Sequence, residues 1–315
     1  MPALRVAFFG TPEFAVPTLS RLIDAGFPVV AAVTQPDRPR GRGQKASAGP
    51  VKSLAVERGI PVLQPERLRH EDFLGALGET APDIGVVAAY GKILPEPVLT
   101  LPRLGLVNVH ASLLPRWRGA SPVHRAVMAG DPETGVSIMR IVKALDAGAV
   151  FAMARRAIGP EETADVVERD LAVLGADLLL DVLASIERGD ATETPQDPAG
   201  VTYAPLLTKE EGRLDWSQPA VTLHNRIRGL HPWPHAFTFL DGARVIVLRS
   251  RPPEPAAVSH GAPGEVLGID RDHVEVATGG GTLRLSQLQA EGRRALPARE
   301  FAAGARLAPG ARFGS

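Results

Sequence analysis

Residues 4–35 read LRVAFFGTPEFAVPTLSRLIDAGFPVVAAVTQ. The first seven are a short apolar run ending in Gly10, the pattern of a buried strand. Thr11 offers a helix N-cap, with Pro12 at the first helical position and Glu13 in the first turn. The segment EFAVPTLSRLIDAG then carries apolar residues at helical spacing and stops at Gly26. PVVAAVTQ, residues 28–35, reads as a second strand. A strand, a helix and a strand in that order predict two parallel strands joined by a right-handed crossover.

The same alternation continues to about residue 189. A Gly/Pro-rich loop, PDRPRGRGQKASAG (36–49), is followed by a helix (PVKSLAVERG), a short strand (PVLQP) and a helix over about 68–79. Next come the strand DIGVVAAY (83–90), the segment GLVNVHASLLP (105–115), which opens as a strand and ends at Pro115, a short helix (SPVHRAVMAG) and the strand TGVSIMRIV. The longest helical pattern covers 163–189. Alternating strands and helices predict a doubly wound, mostly parallel Rossmann-like α/β domain over 1–189. Residues 190–204 (DATETPQDPAGVTYA) are polar and Pro/Gly-containing, the composition of a linker. Over 205–315 a helix near 219–230 precedes regularly spaced short strands with turn signals. They predict a small β-barrel of OB-like type.

The 315 residues contain 35 Lys+Arg, 35 Asp+Glu and no cysteine. Without cysteine, disulfide scaffolds, thiol nucleophiles, zinc ribbons and Fe–S clusters are excluded. A formal net charge of zero gives no global attraction to nucleic acid, so any such binding needs a local patch. The N-terminal apolar run is too short for a secretory signal. LAVLGADLLLDVLASI, the best candidate for a membrane span, is broken by Asp177 and Asp181. A cytoplasmic protein is expected. The first turn, Gly10–Glu13, is not the dinucleotide fingerprint, and no P-loop lysine motif, H-E-x-x-H or G-x-S-x-G is present.

Chemistry concentrates in VNVHASLLP (107–115). On a strand, Asn108 and His110 are two apart and share one face. A carboxamide and an imidazole would then sit together at the carboxyl end of a parallel strand, where open α/β sheets bind ligands. Two satisfied polar residues at a strand end would look the same. Asp146 follows the next predicted strand, and its carboxylate can orient the His110 ring and pair with its charged form; a turn aspartate is the alternative. Together the three suit attack of an amine on a carbonyl carbon. Amide and imidazole N–H groups stabilise the developing oxyanion, and His110, Asp146 or a water relays the proton. Nothing supplies a covalent nucleophile, since Ser112 has no evident base.

The segments GTPEFAVPTL (10–19), TQPDRPRGRGQK (34–45), AAYGKILP (88–95), NVHASLLPRWRGASP (108–122), ETGVSIM (133–139), LDAG (145–148), YAPLLTKEEGRLDW (203–216) and HPWPHAFTF (231–239) together resemble the folate-dependent formyltransferases. The arginine loop and the YAP…DW start of the second domain narrow the resemblance to the methionyl-tRNA formyltransferases. It implies transfer of a formyl group from 10-formyltetrahydrofolate, a co-substrate, to the α-amine of methionyl initiator tRNA. That activity belongs to one-carbon metabolism and translation initiation. On these positions it implies Asn108, His110 and Asp146 as the catalytic trio and Ser112, Leu113, Leu114 and Pro115 as the folate-lining segment. Tyr90, at a strand's carboxyl end, is a further folate candidate, with core packing as its alternative.

The resemblance also implies that Arg42 clasps tRNA. Arg38, Arg40 and Lys45 crowd the same loop, where arginine forks suit phosphate and can stack on bases. Lys209, Arg213, Arg226 and Arg228 are weaker candidates for tRNA backbone contacts. No metal, tightly bound cofactor or membrane partner is implied, and a monomer is expected. Lys143 and Ala147, beside Asp146, depart from the family's usual pattern there. Two rival readings remain: formylation of a small amine such as a sugar nucleotide or purine precursor, and a non-catalytic RNA-binding protein.

Overall fold

The computed structural model describes residues 4–40, 45–253 and 261–314, and for 38–40 and 45–47 the backbone alone. The chain forms two compact units. One comprises Met1–Ala120, Gly135–Arg156 and Glu168–Ala204; the other comprises Ser121–Thr134, Ala157–Val167 and Pro205–Ser315. In chain order the elements begin β1 (Val6–Gly10), α1 (Val16–Asp24), β2 (Val29–Val33), β3 (Arg38–Arg40), β4 (Lys45–Ser47), α2 (Pro50–Glu57), β5 (Val62–Leu63), α3 (Glu71–Glu79), β6 (Ile84–Ala88) and α4 (Glu96–Leu99). They continue β7 (Leu106–His110), β8 (Arg118–Gly119), α5 (Pro122–Ala129), β9 (Glu133–Arg140), β10 (Val150–Ala157), α6 (Ala164–Arg188) and β11 (Tyr203–Ala204). The last are α7 (Ala220–Gly229), β12 (Ala236–Leu240), β13 (Ala243–Arg251), β14 (Val266–Ile269), β15 (Val274–Ala277), β16 (Thr282–Ala290), β17 (Leu296–Pro297) and α8 (Ala298–Ala305).

The first unit is an α/β fold around a sheet of order β10-β9-β7-β6-β1-β2-β5. β1 runs parallel to β2 and β6, β6 parallel to β7, and β2 parallel to β5. Every residue of β1 and β6 is buried, as strands covered on both faces must be. On one face Leu106, Phe9, Val33 and Val87 join Phe73 and Leu77 of α3 in a single apolar cluster. On the other face Val109 approaches Gly175 of α6 so closely that a Cβ there would lie 2.6 Å from its Cγ1. The parallel run ends at β7, because β9 pairs with it antiparallel, Asn108 opposite Met139 and His110 opposite Ser137.

Thr11 does not cap α1. Residues Glu13–Ala15 form a 3-10 turn after an extended Pro12, and α1 starts only at Val16. The Thr11 hydroxyl instead accepts the Gln35 N–H at 3.2 Å, joining the carboxyl ends of β1 and β2. Within the region expected as a plain loop, β3 and β4 pair antiparallel, Arg38 opposite Ser47.

In the second unit an antiparallel sheet of order β12-β13-β16-β15-β14 carries β17 on β16. The chain's end closes it, since Phe313 bridges Leu240 at the end of β12 and Arg312 bridges Glu265 beside β14. Apolar residues of α7 (Leu223, Ile227) and α8 (Phe301) join Trp216, Val247, Val276 and Leu285 in its core. The strand grammar of residues 236–290 therefore yields the expected OB-like architecture.

Candidate active site

Strand β7 presents Asn108 and His110 on one face, two residues apart, at its carboxyl end. The His110 side chain is 6 % exposed and that of Asp146 is 16 % exposed. Nε2 of His110 lies 3.1 Å from the Trp117 carbonyl, and Nδ1 lies 3.8 Å from Asp146 Oδ2. A carbonyl only accepts, so Nε2 carries a hydrogen and Nδ1 is the atom left to exchange a proton. Asp146 Oδ2 accepts the Gly119 N–H at 2.7 Å. The Asn108 carboxamide and Asp146 Oδ1 have no hydrogen-bond partner among the described residues. The imidazole and carboxylate thus meet, on a strand end that also bears the Asn108 carboxamide.

The turn that delivers Asp146 is tightly constrained. Asp146 sits at φ 45°, in the left-handed region. Gly148 lies against β9, where a Cβ would be 1.8 Å from the Arg140 carbonyl oxygen. Gln196 Nε2 donates to the carbonyls of Asp146 and Gly148, both at 2.8 Å.

The segment 112–115 is fixed from beneath. Ser112 is fully buried, and its hydroxyl donates to the Arg116 carbonyl at 2.7 Å. Ser137 Oγ donates to the Ser112 carbonyl at 2.7 Å and accepts from Leu114 N at 3.1 Å. Leu114 packs with Met139 and Val150, while Leu113 and Pro115 are half-buried. The Tyr90 ring is 2 % exposed and meets Phe9 edge-on at 5.7 Å, inside the sheet's core. Its hydroxyl is buried with no partner among the described residues, and burial pushes its pKa up to about 12.

Of the basic loop residues, Arg42 lies outside the described residues, as do the side chains of Arg38, Arg40 and Lys45. At the base of that loop Lys52 Nζ pairs with Asp37 at 2.6 Å and holds its carboxyl below the usual range, helped by Gln64. Arg226 and Arg228 prove to be internal. Arg226 donates to the Glu211 carbonyl; Arg228 donates to Asn225 at 2.9 Å and to the carbonyls of Gly159 and Glu162. Burial lowers the pKa of both. Guanidiniums fixed on protein acceptors are not free for phosphate, whereas Lys209 and Arg213 are exposed.

Sequence reasoning passed over Gln196, Thr202 and the backbone of Trp117. Trp117 N donates to Thr202 Oγ1 at 2.9 Å, and its carbonyl holds His110. Residues 190–204 run through the first unit, with Thr194 paired to Val150, Thr202 to Trp117 and Arg118, and Ala204 to Gly119. The signal was faint, a polar stretch with Thr and Gln among prolines. Among the described residues no group of three or more His, Asp or Glu is arranged to hold a metal, and no helix is long and apolar enough to cross a membrane.

Residues 4–183 match the family described as formyl transferase, and residues 206–306 match the formyl transferase C-terminal domain. A protein of Geobacter metallireducens named methionyl-tRNA formyltransferase is 44 % identical over 314 residues, covering 100 % of both chains. One of the same name from Myxococcus xanthus is 49 % identical over 97 % of this chain and 96 % of its own. Among solved structures, the sugar 3N-formyl transferase WlaRD shares the fold at TM-score 0.68 and 14 % identity, covering 93 % of this chain and 100 % of that one. HypX from Aquifex aeolicus in complex with tetrahydrofolic acid does so at TM-score 0.62 and 20 % identity, covering 95 % of this chain; this chain spans 47 % of that one.

Proposed function

The chain belongs to the methionyl-tRNA formyltransferase family, enzymes for which 10-formyltetrahydrofolate is the co-substrate, and from that premise we propose its particular reaction and the residues that perform it. The acceptor is the free α-amine of methionyl initiator tRNA, a cytoplasmic substrate. The amine nitrogen attacks the formyl carbon, a C–N bond forms, and the carbonyl electron pair moves to oxygen. Asn108 donates an N–H to that oxyanion, joined by His110 Nδ1 when it carries a hydrogen. Asp146 faces the same nitrogen and takes part in moving the proton that leaves the amine. Collapse of the intermediate breaks the bond to the folate nitrogen, which receives a proton.

The observation that supports this reading is the meeting of His110 Nδ1 with Asp146 at 3.8 Å, on a strand end whose Asn108 carboxamide has no hydrogen-bond partner among the described residues. The half-buried Leu113 and Pro115, held by Ser112 and Leu114 beneath, are the folate-facing part of the segment 112–115. Arg42, with Arg38, Arg40 and Lys45, is assigned to the tRNA.

Asn108→Ala, His110→Ala and Asp146→Ala are each expected to lower kcat by about 10²–10³ while tRNA affinity stays near wild type. Wild-type turnover in all three would refute the mechanism. Faster formylation of a free sugar amine than of charged tRNA would move the enzyme to the small-amine class.

A further inference from the structure

Asp146 holds a left-handed backbone conformation, φ 45°, that a non-glycine residue keeps only where its surroundings impose it. One side chain meets that requirement. The Gln196 amide nitrogen places its two hydrogens on the carbonyls of Asp146 and Gly148, each at 2.8 Å. Its oxygen accepts from Arg118 Nε at 3.0 Å and Nη2 at 2.7 Å. Arg118 immediately precedes Gly119, whose N–H holds the Asp146 carboxylate at 2.7 Å. The bonds close a ring: Asp146 main chain, Gln196, Arg118, Gly119, Asp146 side chain. Gln196 is itself held, since Thr194 exchanges both backbone hydrogen bonds with Val150, and the Asp197 carboxylate caps the turn that follows.

Resting on the reading of Asp146 as catalytic, we infer that Gln196 is a positioning residue that aims the Asp146 carboxylate at His110. The requirement is chemical: two donors on one edge and an acceptor on the other. A carboxamide has both, a carboxylate has no donor, and a thioether has neither of comparable strength. Gln196→Glu keeps the acceptor for Arg118 and turns oxygen toward two carbonyls. It therefore breaks the two bonds to the Asp146 turn, at Asp146 and Gly148, and leaves those from Arg118.

The test is steady-state formylation of methionyl initiator tRNA by the full chain, in Q196M, Q196E, D146N and the D146N/Q196M pair. Q196M and Q196E should each lower kcat by about 10- to 100-fold, the scale of an ångström-sized misplacement, with KM for both substrates unmoved. The paired variant should be no slower than D146N alone, because both losses pass through one carboxylate. Thermal midpoints place a folding defect apart from a positioning one. If Q196M does not fold, Q196E, which keeps its Arg118 pair, carries the measurement. Wild-type kcat in Q196E, or losses that multiply in the pair, overturns the inference while leaving the catalytic reading intact. Wild-type kcat in D146N overturns both.

Discussion

Tyr90 shows how one residue's position divides two roles that its sequence context leaves open. It ends a strand at the edge where ligands bind, yet its ring packs on Phe9 in the core and its hydroxyl finds no acceptor among the described residues. A buried hydroxyl without a partner costs about 1–3 kcal/mol, so Tyr90→Phe should raise unfolding stability by about 1 kcal/mol in urea melts. The KM for formyl-folate should not change; a clear rise in that KM would instead put Tyr90 in the folate pocket. The shared face of Asn108 and His110 was easier to read, for a definite reason. Strand parity alone puts Asn108 and His110 on one face. Asp146 was singled out only by its place just after the next predicted strand, within reach of His110; without that strand it reads as any turn aspartate. Gln196 was not legible: its four hydrogen bonds join a turn, a strand and a polar segment far apart in sequence.

At the scale of elements, periodicity located nearly every long helix and strand, since burial imposes it directly. It did not give the reversal at β9, because strand direction is set by the connection and leaves no mark on apolar spacing. It also passed over β10, whose mixed VFAMARRA pattern is only partly buried. Buried histidines on and just after α7 should make stability depend on pH. His224 bonds Ser250 and the Pro160 carbonyl, each at 2.8 Å, and burial lowers its pKa, with Arg228 adding to the shift and the Pro160 bond and Glu161 opposing it. Burial lowers His231 and His235 too; Asp165 opposes the shift at His231, while His231 and Arg244 add to it at His235. For a histidine whose pKa is depressed on folding, the stabilisation is present above the unfolded value near 6.5. It is lost as pH falls through the folded one. Between about pH 7 and pH 5 the thermal midpoint of the second unit should therefore fall. His224→Gln should flatten that slope in circular-dichroism melts; an unchanged slope would remove His224 as a contributor.

Over the whole molecule the formal charge is zero, so affinity for a polyanion has to come from local clusters such as the arginine loop. Arg42→Ala should raise the KM for charged tRNA and leave that for formyl-folate unchanged, and tRNA binding should weaken as salt rises through counterion release. Equal damage to both substrates would mark a folding defect. The change of architecture was legible because an alternating βα grammar gives way to regularly spaced strands after residue 204, but the place of residues 121–134 and 157–167 in the second unit, against the expected 1–189 domain, left no mark on that grammar. The structural part played by residues 190–204 was not, since polar, proline-containing sequence looks alike whether it joins two units or lines one. The most direct measurement is a single-turnover assay with 10-formyltetrahydrofolate and methionyl initiator tRNA, comparing wild type with His110→Ala. Formylmethionine on the tRNA from the wild type, slowed about 10²–10³-fold in the variant, is the expected result. Equal rates in the two, or no formyl group on the tRNA from either, would contradict it.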